Sequence, residues 1–249
     1  EISARKNIRK IDYIRSRIEL GRDAYSRGVI GYELVEALCD TLEQFTKIMK
    51  EYQVDGYEAY AAAALRDVSN ELFILDQIRI RTGLTVHVLS NSEHRFISYK
   101  SVAMRSEFEE LIKTGAAVVD VGGGTTGISI LKDGKVIFTA DEPTGGTHMT
   151  LVLAGSLGCS FEEAERIKKD PKQEMLVFPV VKPVIEKMAA IVARFIEGYD
   201  VDVIYVVGGA CSFKKFESVF EKETGVKTIK PKEPLLVTPL GIAMNCNKQ

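Results

Sequence analysis

The 249-residue sequence predicts an α/β protein large enough for two lobes that each bury a core. Strand-like apolar runs alternate with amphipathic helical stretches along the chain. At its centre, Ala116 to Ile130 carries an apolar run to Asp120 and on into a turn, Gly122-Gly123-Gly124-Thr125-Thr126. A second glycine pair, Gly208-Gly209, separates the strand-like Val203–Val207 from a helical stretch.

The central stretch organises the rest. Glycines let backbone N–H groups approach an anion without a Cβ in the way. Asp120 then stands where a divalent cation would balance bound phosphates. Gly122, Gly124 and Gly127 also spell a dinucleotide fingerprint, with Asp141 about twenty residues on, but that fingerprint requires a helix directly after the glycines. Here Lys132 to Lys135 form a turn between two strand-like runs, so a β-hairpin is expected. A purely structural glycine hairpin reads the same locally.

Composition narrows the class. The formal net charge is −2, with 45% hydrophobic and 27% charged residues, as in an ordinary globular protein. The near-neutral charge argues against general nucleic-acid binding. No apolar run approaches a membrane span and no signal peptide opens the chain, so a cytoplasmic protein is expected. Cys39, Cys159, Cys211 and Cys246 are far apart and form no CxxC pair; reduced thiols are expected rather than a metal site.

In chain order, residues 1–21 alternate loosely, with Ile8, Ile11, Tyr13, Ile14 and Ile18 among Arg5, Arg9, Arg15 and Arg17. One or two strands are expected, their cationic face either an anion groove or an exposed surface. Residues 32–52 place Leu34, Leu38, Leu42, Phe45 and Met49 at helical steps. A strand follows near Tyr57–Ala63, then a helix from Asn70 that Gly83 ends, then a short strand Thr85–Leu89. His87 reads as packing or surface. Glu93 sits just past that strand end, where it could be a catalytic base or a carboxylate at a helix N-terminus. A further helix is expected through Tyr99–Ile112.

Beyond the hairpin, Gly145-Gly146-Thr147-His148-Met149 forms a second glycine turn. Ser160 and Glu163 make a capping box for the helix Phe161–Lys169. Pro183 is expected to open a longer helix that stops at Gly198. After Val203–Val207 and Gly208-Gly209-Ala210, where a helix N-terminus can meet a nucleotide, Ser212 is expected to cap the helix Phe213–Glu223. A strand at Val226–Ile229 then leads through Pro234-Leu235-Leu236 into a terminal helix.

A hairpin Asp-x-Gly-Gly-Gly-Thr-Thr followed by strand-Gly-Gly-helix resembles the actin/DnaK/sugar-kinase ATPase superfamily. This implies an actin-like ATPase (ribonuclease H-like) two-lobe fold, with mixed sheets flanked by helices. From Val119 to Met244 the chain resembles the EutJ-type, chaperone-like proteins of ethanolamine utilisation, through Val119–Leu131, Thr139–Leu153, Phe161–Lys168, Val181–Ile196 and Leu235–Met244. That resemblance implies ATP and Mg²⁺ as ligands. Asp120 serves the metal, Gly122, Gly123, Gly124, Thr125 and Thr126 the phosphates, and Gly145 and Gly146 a neighbouring phosphate loop. Glu165 and Lys168 approach ribose and adenine, with Gly208, Gly209 and Ala210 beneath.

Ile11 to Lys100 is similar instead to the Ppx/GppA exopolyphosphatase/guanosine pentaphosphate phosphohydrolase family. The carriers are Arg15–Gly21, Ala62-Ala63-Ala64-Leu65-Arg66 with Asn70, and Ser90–Arg95. There the resemblance implies Glu93 as general base and Arg66 and Asn70 as phosphate contacts. The chain thus reads as a chimera of a Ppx/GppA-like front lobe (1–115) and a EutJ-like back lobe (116–249). Both families open with a strand and hairpin bearing a first Asp-x-Gly motif. None lies in residues 1–31, so a front lobe truncated at its N-terminus is expected. The leading expectation is therefore ATP–Mg²⁺ binding with weak or no hydrolysis. A polyphosphate or guanosine pentaphosphate phosphatase and a non-catalytic scaffold are the alternatives, with ethanolamine-utilisation proteins as implied partners.

Overall fold

The computed structural model describes residues 11–16, 18–90, 93–94, 97, 115–133 and 135–243. The chain divides into two compact units, Glu1–His94 with Pro239–Gln249, and Arg95–Thr238.

The first unit contains α1 (Leu20–Arg27), α2 (Tyr32–Glu51), β1 (Ala59–Ala61), α3 (Ala63–Arg66), α4 (Glu71–Thr82) and β2 (Val86–Val88). Strands β1 and β2 pair in parallel. Of the opening stretch expected to hold one or two strands, the described residues form none. Residues 11–16 and 18–19 have no regular structure, and the chain turns helical at Leu20. Ile11, Tyr13 and Ile14 are all exposed, so no sheet neighbour rewards an extended backbone there; residues 1–10 and Arg17 lie outside the described set. The core joins Ala24, Ile30, Val35, Cys39, Leu65, Val68, Ile74, Ile78 and Leu84, drawn largely from the faces that the helical spacing of α2 and α4 presents. Arg81 on α4 holds α2 through Glu36, Asp40 and Glu43, one stripe of that helix. Gly83, at φ +75°, ends α4 as expected. The helix expected over Tyr99–Ile112 falls outside the described residues.

The second unit is built on a five-stranded mixed sheet in the order β5-β4-β3-β6-β7. Its strands are β3 (Ala116–Val121), β4 (Thr126–Lys132), β5 (Lys135–Glu142), β6 (Val203–Val207) and β7 (Lys227–Ile229). The expected hairpin forms: β3, β4 and β5 are successively antiparallel. The sheet becomes parallel at β3–β6 and β6–β7. Alternate residues of β3 enter different cores. Ala117, Val119 and Val121 join α5 (Gly146–Leu157), α6 (Phe161–Lys169), α7 (Glu174–Ile196) and α8 (Phe216–Thr224) on one face. Ala116 and Val118 pack on the other with Val203, Tyr205 and Val237, the two-sided burial typical of a central strand. The last element is α9 (Val237–Ala243).

Three boundaries differ from expectation. Gly146 is already helical, so the glycine turn after β5 is the first turn of α5. Pro183 does not open α7, which starts at Glu174 and carries Pro179 and Pro183 inside it. Each interior proline costs about 3 kcal/mol. Both are exposed, however, and the helix buries Val177, Val181, Ile185, Met188, Ala189, Ile191, Val192 and Ile196, at roughly 1.5 kcal/mol or more for each large side chain. Burial wins. Finally, Ser212 does not cap a helix at Phe213. Its hydroxyl donates to the Gly209 carbonyl at 2.8 Å, closing a 3₁₀ turn over Gly209–Ser212 and delaying α8 to Phe216. At α6 the expected cap forms in half. Ser160 accepts from the Glu163 N–H, while the Glu163 carboxylate turns to Arg166.

Candidate nucleotide site

The glycine hairpin between β3 and β4 is braced from behind. Gly122 N–H donates to the Thr125 carbonyl at 2.9 Å, closing the turn. The first amides of α5 dock on the same loop, Gly146 N–H to Gly122 O at 2.9 Å and Thr147 N–H to Gly123 O at 2.8 Å. The approach is close: a Cβ on Gly145 would stand 2.6 Å from the Gly123 carbonyl oxygen, which is why glycine is needed there. Gly145 N–H is held by Nδ1 of His148 at 3.2 Å. The amides of Gly146 and Thr147 therefore support the hairpin, and that of Gly145 is taken up by His148, so none of the three is left for a ligand. Thr126 is also occupied, since its buried hydroxyl donates to the Thr144 carbonyl at 2.6 Å. The N–H groups of Gly123, Gly124 and Thr125 have no hydrogen-bond partner among the described residues.

Asp120 lies next to last in β3, opposite Val207 on the parallel neighbour β6. Gly208 follows immediately, with φ +92°. A Cβ there would meet Val121 O at 2.5 Å and Asp120 Oδ1 at 2.6 Å. The carboxylate and the second glycine loop thus touch, at the carboxyl ends of two neighbouring parallel strands, where open α/β sheets bind ligands. Gly208 N–H is held by Pro234 O at 3.1 Å. Leu235 sits over Gly209, its Cδ2 at 2.9 Å from where a Cβ would be. Ala210 meets the α5 side, its Cβ 3.2 Å from the corresponding point on Gly146.

Glu165 and Lys168, one turn apart on α6, form an ion pair at 2.6 Å with both side chains largely buried. Lys168 Nζ also donates to Gly146 O at 2.9 Å and to the Thr150 hydroxyl at 2.5 Å, and that hydroxyl donates to Glu165 at 2.5 Å. Burial alone would raise the Glu165 pKa. Hydrogen bonds from Lys168, Lys169 and Thr150 outweigh it and bring the value down to about 2. The pair therefore braces the first turn of α5 that holds Gly122 and Gly123. Thr150 belongs to this cluster and is not singled out by the sequence reading. Its place four residues after Gly146, on the same helical face, is the signal that could have found it.

Asp120, Gly122, Gly123, Gly145, Gly146, Glu165, Lys168, Gly208, Gly209 and Ala210 thus come together in one unit. Arg66, Asn70 and Glu93 lie in the other, each with a local partner. Arg66 donates to Leu89 O at 3.0 Å. Asn70 grips the buried Ile30 from both ends, donating to its carbonyl at 2.8 Å and accepting from its N–H at 3.1 Å. Glu93 accepts from Ser90 N–H at 2.8 Å and from the Ser90 hydroxyl at 2.7 Å, while its own N–H points to Ser90 Oγ at 3.3 Å. That is the reciprocal geometry of a capping box. The hydrogen bonds from the Ser90 side chain and backbone lower the Glu93 pKa. Cys39, Cys159 and Cys211 are free thiols.

No cluster of three or more His, Cys, Asp or Glu suited to a metal occurs among the described residues. A single carboxylate beside amides without a hydrogen-bond partner among the described residues fits Mg²⁺, which keeps most of its waters and takes one or two carboxylates plus phosphate oxygens. No described helix is long and apolar enough to cross a membrane.

A family model described as type IV pilus assembly protein PilM matches residues 46–234, running across both units. The ethanolamine utilisation protein EutJ of Salmonella typhimurium is 49% identical over 129 residues, 51% of this chain and 46% of the relative. The chain therefore spans about half the length of the curated relatives it matches most strongly. The crystal structure of EutJ from Carboxydothermus hydrogenoformans superposes with a TM-score of 0.61 at 39% identity, covering 76% of this chain and 65% of that one. A Ppx/GppA family member from Aquifex aeolicus superposes with a TM-score of 0.52 at 23% identity, covering 77% and 55%, a likeness of fold. The fold is that of the actin-like ATPases, and both resemblances read from the sequence hold at that level.

Proposed function

The chain belongs to the type IV pilus assembly protein PilM family, and from that premise we propose that it binds ATP with Mg²⁺ and hydrolyses it slowly or not at all. One observation carries the reading. The amides of Gly123, Gly124 and Thr125, without a hydrogen-bond partner among the described residues, follow Asp120 at the strand ends where Gly208 and Gly209 also emerge. The amides suit phosphate oxygens and Asp120 suits the Mg²⁺ shell, directly or through water. Bound Mg²⁺ supplies charge neutralisation between the phosphates. The residues Glu165, Lys168 and Ala210 sit where ribose and base would continue.

Slow turnover follows from the acids available. Phosphoryl transfer to water needs a group that positions the nucleophile. Asp120 is committed to the metal in this reading, and Glu165 is locked with Lys168 and Thr150. Likeness to EutJ supports extending the proposal to a role in ethanolamine utilisation, as a nucleotide-bound partner of other proteins of that system.

ATP with Mg²⁺ should raise the melting temperature. At a hundredfold excess over Kd the stabilisation is about 2.7 kcal/mol. Gly209→Val should abolish the rise while leaving the fold in place, because among the described residues a Cβ there meets nothing but the Leu235 side chain. Equal shifts for both proteins would exclude the Gly208-Gly209 turn as part of the site.

A further inference from the structure

Lys230 is the first residue beyond the edge strand β7, and its side chain is only 14% exposed. It does not belong to any of the glycine motifs. Its ammonium donates to the Phe213 carbonyl, the group on which the Gly208–Phe213 loop ends, and which also accepts from Phe216 N–H as α8 begins. Glu217, one residue into α8, lies 2.7 Å from the same ammonium. The contact with Glu217 is ionic rather than a directed hydrogen bond, because its Oε2 is buried without a hydrogen-bond partner among the described residues. Inside the loop, the Cys211 thiol contacts Gly208 O at 3.0 Å and the Ser212 hydroxyl contacts Gly209 O. These bonds shape the turn but do not tie it to the sheet. Among the described residues, two hydrogen bonds tie it to the segment beyond β7: Pro234 O to Gly208 N–H at its start, and Lys230 to Phe213 O at its end.

The charge matters as well as the bond. Burial pushes the Cys211 thiol up to about 12, and the charges that act on it include Lys230, Asp120 and Glu217. A largely buried cation thus lies at the end of the loop, within electrostatic reach of the same buried atom as the candidate metal-side carboxylate. In a site of low dielectric such a charge favours anions in front of it.

Resting on the nucleotide reading above, we infer that Lys230 is a positioning residue of that site: by clamping Phe213 O and placing a buried positive charge at the end of the Gly208–Phe213 loop, it orients the loop for the phosphates. It touches no ligand itself. Glu217 holds Lys230 in place and moderates its charge.

The full chain carrying Lys230→Met keeps the aliphatic stem and loses both clamp and charge. Amide hydrogen exchange without ligand should quicken at Gly209 to Ser212 while the β3–β4 hairpin is unchanged. ATP–Mg²⁺ should bind about tenfold more weakly, the loss of one charge-assisted hydrogen bond, while adenosine, which meets the loop at Ala210 but brings no phosphate, should lose much less. Lys230→Arg should recover most of the ATP affinity. A merely structural lysine would lower the melting temperature and weaken ATP and adenosine together, and that result overturns the inference. Unchanged exchange and unchanged ATP affinity in Lys230→Met overturn it too. If the unaltered chain binds no ATP, the nucleotide reading falls and the charge role with it, while the exchange result still decides whether Lys230 clamps the loop.

Discussion

In the unit Glu1–His94, the side chains nominated for phosphate chemistry end on neighbouring groups of the same unit: Arg66 on Leu89 O, Asn70 on both ends of Ile30, Glu93 on Ser90. In the unit Arg95–Thr238, the nominated positions are mostly glycines, and what they offer is backbone. Among the described residues the amides of Gly123 and Gly124 have no partner, while the carbonyls of Gly122 and Gly123 are held by α5. Polar side chains on loops find local hydrogen bonds readily, because an unsatisfied one is costly when half-buried. Partnerless backbone held open by glycines is harder to explain as mere structure. The second unit therefore makes the stronger claim to a ligand.

The contrast breaks most sharply at Gly208. Its φ of +92° and the backbone oxygen 2.5 Å from a would-be Cβ leave nothing free to yield. Gly208→Ala should destabilise by about 3 kcal/mol or more, from left-handed strain plus overpacking, read as a lowered urea midpoint. Gly123→Ala has nothing within 4 Å of the new methyl and should leave stability unchanged. If both glycines respond alike, close packing does not distinguish them, and the loop is a plain turn.

Acid tests the bracing of α5. The Glu165 pKa near 2 lies below the ordinary 4.5, so the stabilisation from its cluster is complete above pH 4.5 and disappears as pH falls toward 2. The total is at most about 3 kcal/mol. Glu165→Gln should be less stable than the unaltered chain at pH 6, and the gap should narrow by pH 3. A gap that does not change with pH would mean that the carboxylate is not held by Lys168 and Thr150 as described.

Much of this architecture is legible in the sequence, for identifiable reasons. The β3–β4–β5 hairpin follows from alternation broken by turn residues, and the α2 and α4 faces from helical spacing. What escapes is set by tertiary context. The run around Ile11 and Ile14 has strand chemistry without a partner strand. Pro179 and Pro183 should break a helix, yet α7 is held by eight buried residues on its other side. Ser212 has a capping residue's chemistry but a nearer carbonyl to bond. In the site the glycines are readable and Thr150 lies within helical reach of Gly146, whereas Leu235 and Lys230 are not readable, because only folding brings them to Gly209 and Phe213. Asn70 shows the same limit from the other side. Asn70→Ala should cost about 2 kcal/mol by stripping both partners from buried Ile30, and it should leave the ATP-induced shift unaltered. A weakened nucleotide response with full stability would return Asn70 to phosphate binding.

The smallest expected effect decides between the two units as the seat of chemistry. As a general base, Glu93 must come within hydrogen-bond reach of an attacking water and carry a pKa suited to taking its proton. Both of its contacts to Ser90 instead lower that pKa, which weakens it as a base at neutral pH. As a capping carboxylate it needs only Ser90 and the amides of the helix start. Glu93→Gln keeps the shape and can still accept from Ser90, so it removes little beyond the charge–dipole contribution. The expected cost is well under about 1 kcal/mol, with the ATP-induced shift in melting temperature unaffected. For a base, the same change would lower phosphate release from polyphosphate or guanosine pentaphosphate by roughly two to four orders of magnitude, with substrate affinity nearly constant. Measuring phosphate release and melting temperature on the same pair of proteins separates the two. Robust hydrolysis in the unaltered chain that collapses in Glu93→Gln would move the chemistry to the first unit and overturn the nucleotide-binding reading as the principal function.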